Sequence, residues 1–439
     1  MGNVARVKSV LRNENPFAFI AVLVMAVAAL AVGVWGRVWR LGFPSQTMWD
    51  EIYFPVMASK YLRGVEFFDL HPPLGKFIIA WSIALFGDTP FAWRLMPAIF
   101  GCALLALAGA VGWYLLRERV AVLLLVFLFA GETILIVHSR TGVMDIFLVF
   151  FVMATFLVAL WAREPGHALV TAVLLGLAIS VKWAAFPVAI PAGYVLWRKG
   201  LIKPFIASLW VSVLIYFAFV YVERLIIITS NPFQAWVEVW TWHLQAADKV
   251  DAAVPHAWGS PWWSWPLMLR PIRYEYLVDM DARLRIVLAI GNPLVWWSST
   301  LAVLAGLVAL ARRAITKTFS PDDPLVPIIL GYVVMLLPWI PGTRIPYIYN
   351  YLPIYAFALL ALAYWLVRIW RGPRLGPWLV VVFCALALAV TLLYLPLATT
   401  LPIAKEDLSR LILFDSWFHQ EFPVPGSGCT PPDPAPRCF

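Results

Sequence analysis

Runs of about 18 or more apolar residues recur from one end of this 439-residue chain to the other, and each such run reads as a membrane-spanning helix. Lipid offers no partner for backbone N–H and C=O groups, so a spanning segment must be a helix or part of a closed barrel. A barrel would show short alternating segments instead. The chain is therefore expected to be an all-α polytopic membrane protein. Charged residues make up 13% of it, about half the 25% of a soluble domain, and mean hydropathy is +0.83. Those values exclude a water-soluble enzyme, a disordered protein and a secreted disulfide scaffold.

The pattern predicts about eleven spans: 16–36, 91–116, 120–138, 141–162, 168–183, 184–197, 204–228, 285–311, 324–341, 348–368 and 377–397. Pro187 and Pro191 interrupt the pattern beyond Lys182, where short or broken helices are expected. The segments 51–63 and 74–87 are too short to span and read as interfacial helices. The first run, from Phe17 to about Trp35, lacks a small-residue cleavage site and reads as a retained anchor. With the N-terminus in the cytoplasm, every short cytoplasmic loop is basic: Arg117 and Arg119; Arg163; Arg198, Lys199 and Lys203; Arg312, Arg313 and Lys317; Arg368, Arg371 and Arg374. The net charge of +9 follows from these loops, and no nucleic-acid module is present. One transmembrane module, 1–397, then exposes loops 37–90 and 229–284 outside. A tail, 398–439, is also external, with a disordered Pro-rich end at Pro423–Pro436. Cys102 and Cys384 lie in apolar runs and read as inert; Cys429 and Cys438 are able to pair in an oxidising compartment.

Polar residues gather on the external face. Asp50 and Glu51 follow the first span. Asp69, His71 and Lys76 surround Pro72-Pro73, which stiffens the loop. Arg94 opens the second span, Arg140 closes the third, and Lys182 ends the fifth. Singly, each has an ordinary reading: a solvated acidic pair, a snorkelling cation, or an Arg140–Asp145 structural pair. Together they place carboxylates able to accept a proton beside cations able to hold a phosphate. That combination suits glycosyl transfer from a lipid phosphate. A transporter would place its charges near the bilayer midplane. Trp258, Trp262, Trp263 and Trp265, with Arg270 and Arg273, form either an interfacial belt or a surface that stacks on a sugar or lipid head. Arg344, Tyr347, Tyr349, Asn350 and Tyr351 form a supporting wall. No zinc or nucleotide motif is present, although the Asp-Glu pair leaves room for a hard divalent ion with water.

The stretches WDEIYF, FFDLHPPLGK, AWRLMPAIFG, HSRTGVMDIFL, GLAISVKWAAFP, PWWSWPLMLRPI, GNPLVWW and YIYNYLP, in that order from Trp49 to Pro353, resemble the protein O-mannosyltransferases of the GT-C superfamily. FDLHPPLGK and WSWPLMLRPI are specific to it. The resemblance implies a GT-C fold in the plasma membrane, with its active site on the external or periplasmic side. It implies inverting transfer of mannose from a polyprenyl-phosphate-mannose donor to Ser/Thr hydroxyls of exported polypeptides, met at the Sec translocon. It carries the catalytic acidic pair onto Asp50 and Glu51, and donor-phosphate binding onto Lys76, Arg94 and Arg140. Asp69, His71, Lys182, Trp263, Trp265, Arg270 and Asn350 are supporting candidates. Asp50 is the preferred general base and Asp69 its rival. Loop 229–284 is too short for the β-trefoil insert of fungal and animal members, so the bacterial form is expected. Family members commonly carry His where Asn350 stands. Transfer of another lipid-linked sugar to a lipid or glycan, or flipping of a lipid-linked sugar, are the alternatives.

Overall fold

The computed structural model describes residues 15–67, 69–227, 233, 234, 237, 241, 258–281, 283–341 and 346–417. Helix α1 (Pro16–Val38) starts where the Asn15 side chain accepts from Phe17 N and Ala18 N, with Pro16 in the first turn, a position that needs no N–H donor. Two short helices, α2 (Phe54–Arg63) and α3 (Leu74–Phe86), follow in the first loop, as expected. Helix α4 (Pro90–Leu116) opens on a Thr89 cap. Helices α5 (Arg119–Gly131) and α6 (Thr133–Ser139) form a consecutive pair bent by 64°. Next come α7 (Asp145–Trp161), α8 (Pro165–Val181), α9 (Ala189–Arg198) and α10 (Ile202–Ile226). Lys182 leaves α8 in an extended conformation, and a 3-10 turn (Trp183–Val188) precedes α9, which is the break expected there.

The 285–311 span is corrected. Residues Leu284–Ala289 form strand β2, antiparallel to β1 (Ile272–Val278). Helix α11 (Pro293–Ile315) begins only after Asn292, whose side chain caps it. The chain is thus mostly helical, with one two-stranded hairpin among the described residues. LRIVLA is apolar enough to read as helix by hydropathy, and its branched residues favour the strand. Helices α12 (Leu325–Leu336), α13 (Leu352–Trp370), α14 (Gly376–Thr399) and α15 (Lys405–Leu411) complete the fold.

Among the described residues six helices are long and apolar enough to cross a membrane, α1, α4, α10, α11, α13 and α14; counting the bent pair as one span gives seven. Helices α7, α8 and α12 are shorter, so length alone identifies fewer spans than eleven. This is a multi-pass membrane protein. Helices α7 and α13 are buried nearly all round, which places them at the centre of the bundle. Tail residues to Trp417 are folded: the Trp417 indole donates to Met268 O at 2.7 Å. The Pro-rich end and Cys429–Cys438 lie outside the described residues.

The bend between α5 and α6 exposes carbonyls that must find donors inside the bundle. Arg37 of α1 supplies them to Phe129 O (2.9 Å) and Ala130 O (3.2 Å), and Thr391 of α14 to Gly131 O (2.8 Å). Glu132, at the corner, accepts from Asn292 N (2.7 Å) and the Tyr355 hydroxyl (2.8 Å). The approach of α1 to this corner requires Gly33, where an added Cβ would stand 2.4 Å from Ala130 O. Gly33→Ala is expected to lower the thermal unfolding temperature in detergent, through an overpacking cost of about 1–3 kcal/mol. Gly166→Ala, where nothing lies within 4 Å of the added atom, serves as the control and is expected not to lower it.

Candidate active site

The loop after α1 is held by one ion pair. Glu51, buried in a 3-10 turn (Trp49–Ile52), accepts from Arg94 Nε (2.8 Å), Arg94 Nη2 (2.7 Å), Met48 N (2.9 Å) and Gly142 N (2.7 Å). Arg94 completes its set with the carbonyls of Leu41 (3.0 Å), Pro44 (2.8 Å) and Gln46 (3.0 Å). All five guanidinium N–H groups are thereby used, so in this arrangement Arg94 ties the loop down and offers no N–H to a donor phosphate. The forked geometry suits this bidentate grip.

The neighbouring Asp50 is half-buried. Its charge, with those of Asp145 and Glu51, bears on Tyr274; burial first, then these carboxylates, push that hydroxyl well above its usual range. Trp49 adopts φ +46°, a conformation a bulky residue rarely takes and that clusters at functional sites. Its ring stacks on Tyr274 at 5.7 Å between centroids, the planes 6° apart.

Arg140 lies at the end of α6 and donates to Gly36 O (2.7 Å) and Trp39 O (3.1 Å) at the C-terminus of α1, where the helix dipole favours a cation. The Arg140–Asp145 pair is therefore corrected. Asp145 pairs instead with Lys182, Nζ to Oδ1 at 2.7 Å. In the HPPLGK loop Asp69 Oδ1 accepts from His71 N (3.0 Å), while fully buried Lys76 pairs with Asp69 and donates to His71 O (2.8 Å). Asp69 and Lys76 thus shape the loop from within.

A cavity of about 180 Å³ opens between this loop and the helix ends. Its wall brings together His71, Asp145, Lys182, Trp183, Tyr347 and Asn350, with Tyr349 beside them. Lys182 Nζ sits 5.3 Å over the Tyr349 ring. Trp265 is corrected as a stacking surface: it is wholly buried, its indole donating to Ser260 O at 3.0 Å. Trp263 is 55% exposed. Arg270 donates to Gly259 O at 3.1 Å. Arg344 lies outside the described residues. Asp145, His138, Tyr274 and Trp49 received no catalytic reading from sequence; His138 and Asp145 carried a signal, as polar groups in an apolar span. Among the described residues no three His, Cys, Asp or Glu side chains gather as a metal site.

Removing Glu51 would leave the Arg94 charge buried without its partner, which costs about 3–5 kcal/mol. Glu51→Ala is expected to lose thermal stability accordingly in detergent, whereas Asp50→Asn, one residue away and half-buried, is expected to unfold at the wild-type temperature.

Comparison with known proteins places this architecture. The family described as dolichyl-phosphate-mannose-protein mannosyltransferase matches residues 27–93 and 86–245. The C-terminal four-span region of protein O-mannosyltransferase matches residues 232–417. The polyprenol-phosphate-mannose–protein mannosyltransferase of Corynebacterium glutamicum is 24% identical, over 79% of this chain and 81% of the relative. That of Mycobacterium tuberculosis is 26% identical over the same shares. Among solved structures, the Saccharomyces cerevisiae protein O-mannosyltransferase Pmt1–Pmt2 complex bound to the sugar donor shares the fold. Its TM-score is 0.77 at 16% identity, covering 90% of this chain and 92% of that one. The Archaeoglobus fulgidus oligosaccharyltransferase aligns with a TM-score of 0.52 at 12% identity, covering 91% and 58%. With the two family regions together running from residue 27 to 417, the chain belongs to the protein O-mannosyltransferase family.

Proposed function

We propose that this chain transfers mannose from polyprenyl-phosphate-mannose to Ser/Thr hydroxyls of exported polypeptides at the external membrane face, with inversion. The observation that carries the reading is a juxtaposition at one end of the bundle. Trp49, next to Asp50 in the clamped turn, meets the cavity-wall Tyr347 with ring centroids 6.1 Å apart, and Lys182 lies on the same wall, in a chain of this family. The named relatives support the donor and the acceptor class. The basic short loops support an external site, where polypeptides emerge from the Sec translocon.

In this reading Asp50 accepts the acceptor hydroxyl proton as the oxygen bonds to the anomeric carbon. The bond from that carbon to the phosphate oxygen breaks on the opposite face, and polyprenyl phosphate departs with the electron pair. Glu51 and Arg94 set the backbone from which Asp50 projects. Of the four cations considered, Lys182 is the one on the cavity wall. It is assigned the growing phosphate charge, with Lys76, Arg94 and Arg140 holding the loops around it.

The test uses purified protein, polyprenyl-phosphate-mannose and a Ser/Thr peptide, read by mass spectrometry. Asp50→Asn is expected to lose about 10²–10⁴-fold in turnover while still binding donor. Near-full transfer by Asp50→Asn together with loss in Asp69→Asn would move the base to Asp69. Absence of mannosyl transfer by the wild-type protein would sink the reading itself.

A further inference from the structure

His138 is buried completely near the end of α6 and the reaction as described makes no use of it. Its Nε2 lies 3.2 Å from the Tyr274 hydroxyl. Its Nδ1 has no hydrogen-bond partner among the described residues and faces Asp145 Oδ2 at 3.8 Å. A buried imidazole nitrogen left this way is costly and calls for an explanation.

The surroundings fix the tautomer. Tyr274 keeps its proton, because burial and the nearby carboxylates hold its hydroxyl well above the ordinary range. With the Asp145 carboxylate facing Nδ1, the proton of a neutral His138 is best placed on Nδ1, and Nε2 then accepts from the Tyr274 hydroxyl. Asp145 is already paired with Lys182 on the cavity wall. At the other end, Tyr274 lies flat on Trp49, the residue before Asp50. Tyr274 faces inward with Ile272 by the alternation of β1, beside the register shift between Arg273 and Glu275. The line runs from Asp50 through Trp49, Tyr274, His138 and Asp145 to Lys182.

We infer that His138 is a positioning residue that fixes the distance between the acceptor-side turn carrying Asp50 and the Asp145–Lys182 pair on the donor cavity. The imidazole suits the task because one rigid ring presents Nε2 to the Tyr274 hydroxyl at 3.2 Å and Nδ1 to the Asp145 carboxylate at 3.8 Å. Glu51 and Arg94 hold the turn from below, and His138 braces it against the cavity. This inference rests on the proposed mannosyl transfer. A displacement of about 1 Å between reacting groups costs about 10²-fold in rate, which sets the scale of the effect.

The experiment measures kcat and the donor and acceptor KM for wild type, Tyr274→Phe, His138→Leu, His138→Gln and the Tyr274→Phe/His138→Leu double variant, in the peptide assay above. Tyr274→Phe retains the ring on Trp49 and removes only the hydroxyl, so it guards against an unfolded His138→Leu. The expected result is a fall in kcat for Tyr274→Phe with both KM values unchanged, and a fall of about 10²-fold for His138→Leu. His138→Gln, whose amide oxygen can accept from Tyr274, restores most of the rate. The double variant is no slower than His138→Leu, since both remove one link. Wild-type kcat in Tyr274→Phe, additive losses in the double variant, or a His138→Gln as slow as His138→Leu each overturns the strut while leaving the transferase reading intact. An inactive wild type overturns both.

Discussion

The loop between α1 and α4 depends on a carboxylate and a guanidinium that have left water together. Burying one charge alone is prohibitive, and even a pair breaks even only when every donor and acceptor is matched. Glu51 and Arg94 meet that condition with the main chain of four loop residues and Gly142. The pair therefore acts less as a source of stability than as a specification. The path of the chain between α1 and α4 is set by it, and Asp50 stands on that path next to Glu51.

The same economy recurs at the other charged residues. Lys76 is turned inward to shape the HPPLGK loop, and Arg140 caps α1. Cations that sequence reading assigned to a ligand are thus engaged with the protein. Backbone carbonyls at helix ends and in tight loops also need donors, and one arginine can answer several of them. In a membrane protein, where water cannot answer that demand, it is met by side chains.

How far the sequence was legible follows from which physics was local. Hydropathy runs gave the long spans. The Asn-Pro and Thr-Pro pairs at Asn15, Thr89 and Asn292 stand at helix beginnings in the structure, a signal open to sequence because capping is decided within a few residues. The broken path beyond Lys182 was legible from its prolines. The β1–β2 hairpin was not, since LRIVLA is as apolar as a span and only its pairing with β1 distinguishes it. Nor was the partner of Asp145 legible. Arg140 is five positions away and Lys182 thirty-seven, and proximity in sequence favours the wrong one. Trp265 was chosen with Trp263 by composition, whereas their separation into core and surface is a matter of the turn that carries them.

The corner at Glu132 has a further implication. Past it the chain has only the seven residues of α6 before Arg140, and each helical residue turns its side chain by about 100°. Glu132 is tied to α11 and α13, while His138 and Arg140 must meet the hairpin and α1. The segment therefore behaves as a phase lock: its substitutions are constrained by volume, but its length is constrained by angle. Loops elsewhere can gain or lose residues at little cost, yet one residue added within α6 would turn everything after it to a different face.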